Sequence, residues 1–184
     1  MDEEKDLIFQ AKKGSIQAFS KLVEKNKEKI FFAALRLTGN LHEAEDIAGE
    51  TFFIAFKNIS QFKGNSAFST WLYRICFSIV YHKQKRKKLI RFFSSFDESK
   101  EYDVPVSSEV EDELVKEERQ RIVRKCIGKL PSKMRDMILL REFEGLSYRE
   151  LARVFNCSIG TVMSKLYRAR KKLKELLIKE GFKF

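Results

Sequence analysis

Phe62, Phe68 and Trp71 are interleaved with Lys63, Gly64, Asn65, Ser66 and Arg74 in one short stretch. Rings beside cations on a turn suit a surface that takes up unstacked nucleic-acid bases, because every base has a π-face and the cations meet the phosphates. Asn65 and Ser66 can hydrogen-bond a base edge, and Gly64 allows the positive φ of a tight turn. The alternative is a helix corner whose rings are all core. A second cluster is acidic. Asp46, Glu50 and Phe53 recur at i, i+4, i+7, off the apolar stripe Ala44, Ile47, Ala48, Thr51, Phe52, Ala55, Ile59. Two acids framing a bare ring suit docking on a protein, or else form an acidic surface with one stray Phe. A third cluster lies near the C-terminus, where Ser158 precedes Thr161, Met163, Ser164, Lys165, Tyr167, Arg168 and Lys171. Enzymatic patterns are weak: there is no Gly-rich phosphate loop, His-Glu zinc motif or nucleophile elbow, and His42 and His82 are far apart. Glu43, Asp46 and Glu50 make the best case for a metal site, but Phe53 continues their face and no catalytic partner is visible. The expectation is a protein that works by binding, without enzymatic activity, metal or cofactor.

Helices must position these groups. Leu7 to Lys13 reads as a short helix stopped by Gly14, and Ser15 restarts one with Phe19, Leu22 and Val23 inward. Ile30, Phe31, Ala34, Leu35 and Leu37 belong to the next, ending at Thr38-Gly39. The acidic cluster lies on a helix from Leu41 to Ile59, with Asn40 and Glu43 as a capping-box-like start. After the turn, with Ser69 or Thr70 as its cap, a helix runs from about Ser69 to Lys88. Phe68, Leu72, Ile75, Cys76 and Ile79 form its core stripe. Its second face carries Trp71, Arg74, Ser78, Tyr81, His82 and Lys85. No acid occurs from Phe62 to Phe96, and Lys83, Lys85, Arg86, Lys87, Lys88 and Arg91 extend the cationic character, as a groove tracking a phosphate backbone requires.

From Phe92 to about Asp112 the periodicity fails, and Ser94, Ser95, Ser99, Pro105, Ser107 and Ser108 mark a linker. It is acidic, with Asp97, Glu98, Glu101, Asp103, Glu109, Glu111 and Asp112 against Lys100. A helix then places Val115, Ile122, Val123, Cys126, Ile127 and Leu130 inward. Pro131 suits the first turn of the next, whose core is Met134, Met137, Ile138 and Phe143. Ser147 with Glu150 reads as a capping box, Asn156-Cys157 as a tight turn, and Ser158 as a second cap. Ile159, Val162 and Leu166 are expected to seat the last helix on its predecessor. This is helix-turn-helix spacing. From Thr161 to Phe184, eight Lys or Arg face Glu175 and Glu180, a net of +6.

The fold expected is all-α: two small helical domains, 1–91 and 113–184, joined by a flexible acidic linker at 92–112. No alternating strand pattern of useful length occurs. The whole chain of 184 residues carries a net charge of +11, which points to a polyanion partner. No apolar run has membrane-spanning length and the N-terminus is charged, so a cytoplasmic location and no membrane insertion are expected. Cys76, Cys126 and Cys157 are too widely spaced for a metal pair or a disulfide framework and read as buried thiols, with a redox sensor as the alternative.

The stretch EAEDIAGETFFIAFKNISQFKGNSAFSTWLYRI resembles the second region of bacterial RNA polymerase sigma factors of the extracytoplasmic-function type. ELARVFNCSIGTVMSKLYRARKKL resembles their fourth region, which reads the −35 promoter element. The resemblance implies a factor that binds core polymerase and promoter DNA and needs no nucleotide or metal. It implies that Asp46, Glu50 and Phe53 dock on the clamp helices of the β′ subunit, with the β subunit as a further contact. It implies that the Phe62–Phe68 turn captures an unstacked base of the −10 element, with Lys63, Asn65, Ser66, Trp71, Arg74, Tyr81 and Lys85 nearby. Ser158 to Lys171 would hold the −35 duplex. The linker would thread polymerase channels, where the residues alone suggest a solvated tether. An anti-sigma factor is a further partner expected of the family. Family members often have Lys or Arg where this chain has Met163, which leaves its −35 preference open. The competing reading is an autonomous helix-turn-helix regulator that does not touch polymerase.

Overall fold

The computed structural model describes residues 3–93 and 113–182, with the side chains of 88–93 and 113–118 excepted. The described residues form eight α-helices and no strand. The chain divides into two compact units, one built mainly on the first four helices and one mainly on the last four. Of the linker expected at 92–112, Phe92 and Phe93 instead end the last helix of the first unit, and 94–112 lie outside the described residues.

In the first unit, α1 spans Glu3–Lys12, with Glu3, Glu4 and Asp6 at its positive end and Lys12 at its negative end. Gly14, at φ +94°, turns the chain, and the Ser15 hydroxyl accepts a hydrogen bond from the Ala18 amide at 3.2 Å to cap α2. Helix α2 then runs unbroken over Ile16–Thr38, where two helices were expected. No Gly or Pro interrupts it. The polar run that suggested a break is its solvated face, and Asn26 is accommodated by donating its side-chain amide to the Leu22 carbonyl at 2.8 Å.

Helix α3 covers Leu41–Lys57 and buries Ala44, Ile47, Thr51 and Ala55; the Thr51 hydroxyl donates to the Ile47 carbonyl at 2.7 Å. It ends before Ile59, which opens a 3-10 turn, Ile59–Gln61. Helix α4, Phe68–Phe93, packs along α3. It starts earlier than expected, at Phe68, so Ser69 and Thr70 lie inside its first turn rather than at its cap; the Ala67 carbonyl accepts the first bond, from the Trp71 amide. Phe68, Leu72, Tyr73, Cys76, Ile79 and Val80 are buried, each large apolar side chain contributing about 1.5–3 kcal/mol.

In the second unit, α5 (Glu113–Gly128), α6 (Ser132–Glu142) and α7 (Tyr148–Val154) all pack on α8 (Ile159–Lys179). Helix α8 presents Val162, Leu166, Ala169 and Leu177 to that core, a near-3.6 repeat. Pro131 occupies the cap position of α6 rather than its first turn. Phe143, expected in the core, is 40% exposed, because α6 has ended before it. Instead Arg135 and Asp136 are buried, Nε to Oδ1 3.3 Å. At the far end, Glu180 accepts from Lys129 at 2.7 Å and Lys125 at 3.1 Å, tying the end of α8 to α5.

Candidate nucleic-acid interface

The turn between α3 and α4 is built on a closed set of rings. Phe62 and Phe68 meet edge to face at 5.5 Å, and each lies within 5.6 Å of Trp71 by ring centroid. Phe62 is 5% exposed and Phe68 1%. Neither ring therefore offers a free face to a base, so for these two rings the expectation of a base-stacking surface is corrected to the alternative, rings that are core. Burial against Trp71 is worth more to these rings than hydration at the tip. They fix the turn from beneath. Above them Lys63, Gly64 and Asn65 are exposed, Ser66 and Trp71 are half-buried, and Gly64 adopts φ +72°.

Along α4 the expected second face reaches solvent. Arg74, Ser78, Tyr81, His82 and Lys85 are all exposed. Tyr81 stacks on Phe77 with centroids 6.4 Å apart and meets His82 edge-on at 5.8 Å. Lys83 and Lys87 depart from the expected cationic run: they turn toward α3, to Glu50 at 3.1 Å and Glu43 at 2.7 Å.

Those pairs also define the acidic face of α3. Asp46 is exposed and makes no ion pair among the described residues, whereas Glu50 shares its charge with Lys83. Phe53 is 57% exposed, and the Lys57 ammonium lies 4.3 Å from its ring centroid. Among the described residues no three His, Cys, Asp or Glu side chains come together as metal ligands, and Glu43 and Glu50 are held by lysines.

In the second unit the two caps form as the spacing predicts. The Ser147 hydroxyl accepts from the Glu150 amide at 3.3 Å, while the Glu150 carboxylate accepts from the Ser147 amide at 2.8 Å. Asn156 takes φ +48° at the turn, and the Cys157 amide donates to the Ala152 carbonyl at 3.0 Å. Cys157 is half-buried, so only Cys76 and Cys126 are the buried thiols expected. The Ser158 hydroxyl accepts from the Thr161 amide at 3.1 Å and contacts the Thr161 hydroxyl at 2.9 Å. Both hydroxyls are thus engaged in starting α8. Of the three residues expected to seat the helix, Val162 and Leu166 are fully buried and do so, whereas Ile159 is 42% exposed.

The outer face of α8 carries Met163, Ser164, Tyr167, Arg168 and Lys171, all exposed, with Lys165 half-buried. Arg168 Nε donates to the Ser164 carbonyl at 3.3 Å, leaving its terminal nitrogens for a ligand. Arg170 differs. It reaches Glu142 at 2.7 Å and the Tyr148 hydroxyl at 3.4 Å, and the Glu142 hydrogen bond leads in pushing its pKa up. It clamps α8 to α6 and α7. Two cations escaped the sequence reading. Arg149 and Arg153, one turn apart on α7, are exposed and line a hollow of about 570 Å³ with Ala152, Asn156, Cys157 and Ile159. Their i, i+4 spacing was the available signal.

Comparison with known proteins bears on what these faces meet. Residues 22–90 match the family described as Sigma-70 region 2, and residues 120–173 match Sigma-70, region 4. The chain is 37% identical over 179 residues to the ECF RNA polymerase sigma factor SigW of Bacillus subtilis, covering 94% of this chain and 96% of that one. It is 33% identical over 187 residues to the RNA polymerase sigma-H factor of Pseudomonas aeruginosa, covering 96% and 94%. Among solved structures, the sigma factor RpoE of Bartonella quintana, in complex with the anti-sigma factor NepR, aligns with a TM-score of 0.72 at 25% identity, over 88% of this chain and 98% of that one. CnrH, in complex with the cytosolic domain of CnrY, aligns at 0.68 and 27% identity, over 97% and 99%. The chain belongs to the extracytoplasmic-function sigma factors of bacterial RNA polymerase.

Proposed function

We propose that this sigma factor divides promoter recognition between its two helical units and works purely by binding, in the cytoplasm, with no catalysis and no cofactor. Residues 1–91 hold core polymerase and the −10 element, and residues 113–184 hold the −35 duplex. Asp46, Glu50 and Phe53 dock on the β′ clamp. The polar tip Lys63, Asn65 and Ser66 takes an extruded −10 base, with the half-buried edge of Trp71 as one wall and the Phe62–Phe68 pair as the support beneath. Arg74, Tyr81 and Lys85 track the strand beyond. Thr161 to Lys171 enters the −35 major groove. An anti-sigma factor is a natural partner, since the Bartonella relative is found with one.

The observation that carries this reading is the separation of faces by charge. Helix α3 exposes Asp46 and, two turns on, Phe53 with the Lys57 ammonium against its ring, while α4 and α8 expose cations interleaved with aromatic rings. An acidic, apolar patch suits a protein, and basic, aromatic faces suit nucleic acid. The acidic patch has no use in an autonomous regulator, which disfavours that reading. The test is transcription by core polymerase plus this chain, with permanganate footprinting. Asn65→Ala with Ser66→Ala should leave polymerase and −35 binding intact and lower open-complex formation on duplex promoters. A promoter premelted at −10 should recover the melting step. Normal melting with unchanged base preference in the double variant would refute the role of the turn.

A further inference from the structure

Two large apolar side chains sit where a phosphate-binding helix has no need of them. Met163 is 54% exposed and Tyr167 69%. They lie at i, i+4 in the first half of α8, so their side chains share one face. Leaving them in water forgoes the gain of burial, and such exposed apolar strips mark contact sites. The surroundings say what kind of contact. Arg168 and Lys171 flank the strip and are exposed, and Ser164 lies beside it. The strip is therefore apolar at its centre and cationic at its rim, complementary to a polyanion with a local apolar feature. In the DNA major groove only thymine supplies one, its 5-methyl group. Methionine has no hydrogen-bond donor and cannot recognise the O6 and N7 acceptors of guanine.

We infer that Met163, backed by the ring of Tyr167, is a specificity-determining residue that reads a thymine 5-methyl group in the upstream promoter element. The assignment rests on α8 being the helix that enters that element. Discrimination comes from burying one methyl against the thioether and the ring edge, while Arg168 and Lys171 hold the strand. Exposure of Met163 leaves it free of any role in the core, where Val162 and Leu166 seat the helix.

The experiment uses holoenzyme reconstituted from the full chain and core polymerase. The upstream element is first obtained by selection from a randomised duplex. Each thymine in it is then replaced, one at a time, by deoxyuridine, which removes only the methyl. At one thymine the affinity should fall about fourfold, the ~0.8 kcal/mol of one methyl-sized apolar group. Met163→Ala should abolish that difference and Met163→Leu should retain it, both with unchanged helicity. If deoxyuridine is tolerated everywhere while Arg168→Ala still weakens upstream binding, the inference falls and the assignment of α8 stands. If selection returns no upstream preference at all, both fall. If Met163→Ala weakens capture of an anti-sigma protein and leaves the deoxyuridine effect intact, the strip belongs to a protein groove and the inference is overturned.

Discussion

Charge reversal at Asp46 is the sharpest test of the docking face. Asp46 is exposed, without an ion pair among the described residues, and off the buried stripe Ala44, Ile47, Thr51 and Ala55. Asp46→Arg should therefore change folding stability by no more than about 0.5 kcal/mol. Glu50 is a poorer probe. Its carboxylate sits 3.1 Å from Lys83, with side chains 43% and 36% exposed. Glu50→Arg would break that pair and set two cations together. The pair itself is worth only about 0.2–1 kcal/mol at such exposure, but its loss also redirects Lys83 on the neighbouring helix. At an interface, close charge pairs couple by about 1.5–7 kcal/mol. Asp46→Arg should thus weaken binding to core polymerase at least tenfold, about 1.4 kcal/mol, and the difference should shrink at high salt. Competition binding with labelled factor at two salt concentrations measures this, with circular dichroism to check the fold. Unchanged affinity with intact helicity would remove α3 from the polymerase interface.

Phe68→Ala should cost about 3–5 kcal/mol of stability in the first unit, because the ring is 1% exposed in the three-ring cluster; a shift in urea midpoint too small to match would mean the turn is open in solution. Arg168→Ala should weaken −35 duplex binding by about 1–3 kcal/mol and relax one base position, whereas Arg149→Ala, beside the hollow on α7, should weaken all sequences alike and reduce the salt slope by about 1. Glu180 has its pKa lowered, first by the hydrogen bond from Lys129 and then by that from Lys125. A depressed carboxyl stabilises the fold above its ordinary value of 4.5 and loses that contribution as pH falls below it. Glu180→Gln should flatten the acid limb of a denaturation midpoint against pH profile, and an unchanged limb would refute the clamp between α8 and α5.

Local chemistry was legible from the residues alone. The caps at Ser147 and Ser158 and the buried faces of α3 and α4 depend on neighbours within about four residues, so spacing suffices to find them. The helix-turn-helix and the outward set Met163, Ser164, Tyr167, Arg168 and Lys171 follow from the same periodicity. The unbroken α2 is not legible locally, because its solvated polar face has the same composition as a break between two helices. What the sequence left open is settled by contacts between distant residues. Phe62 and Phe68 can be exposed or buried with the same spacing, and only the approach of Trp71 closes their rings. Lys87 and Glu43 lie 44 positions apart, so nothing local shows that a cation of the α4 run turns to α3. Arg170 and Arg168 stand two residues apart in one basic run, yet one clamps helices and the other faces solvent. A helix repeat decides which side chains share a face, whereas the partner across that face decides whether a charge is free to bind.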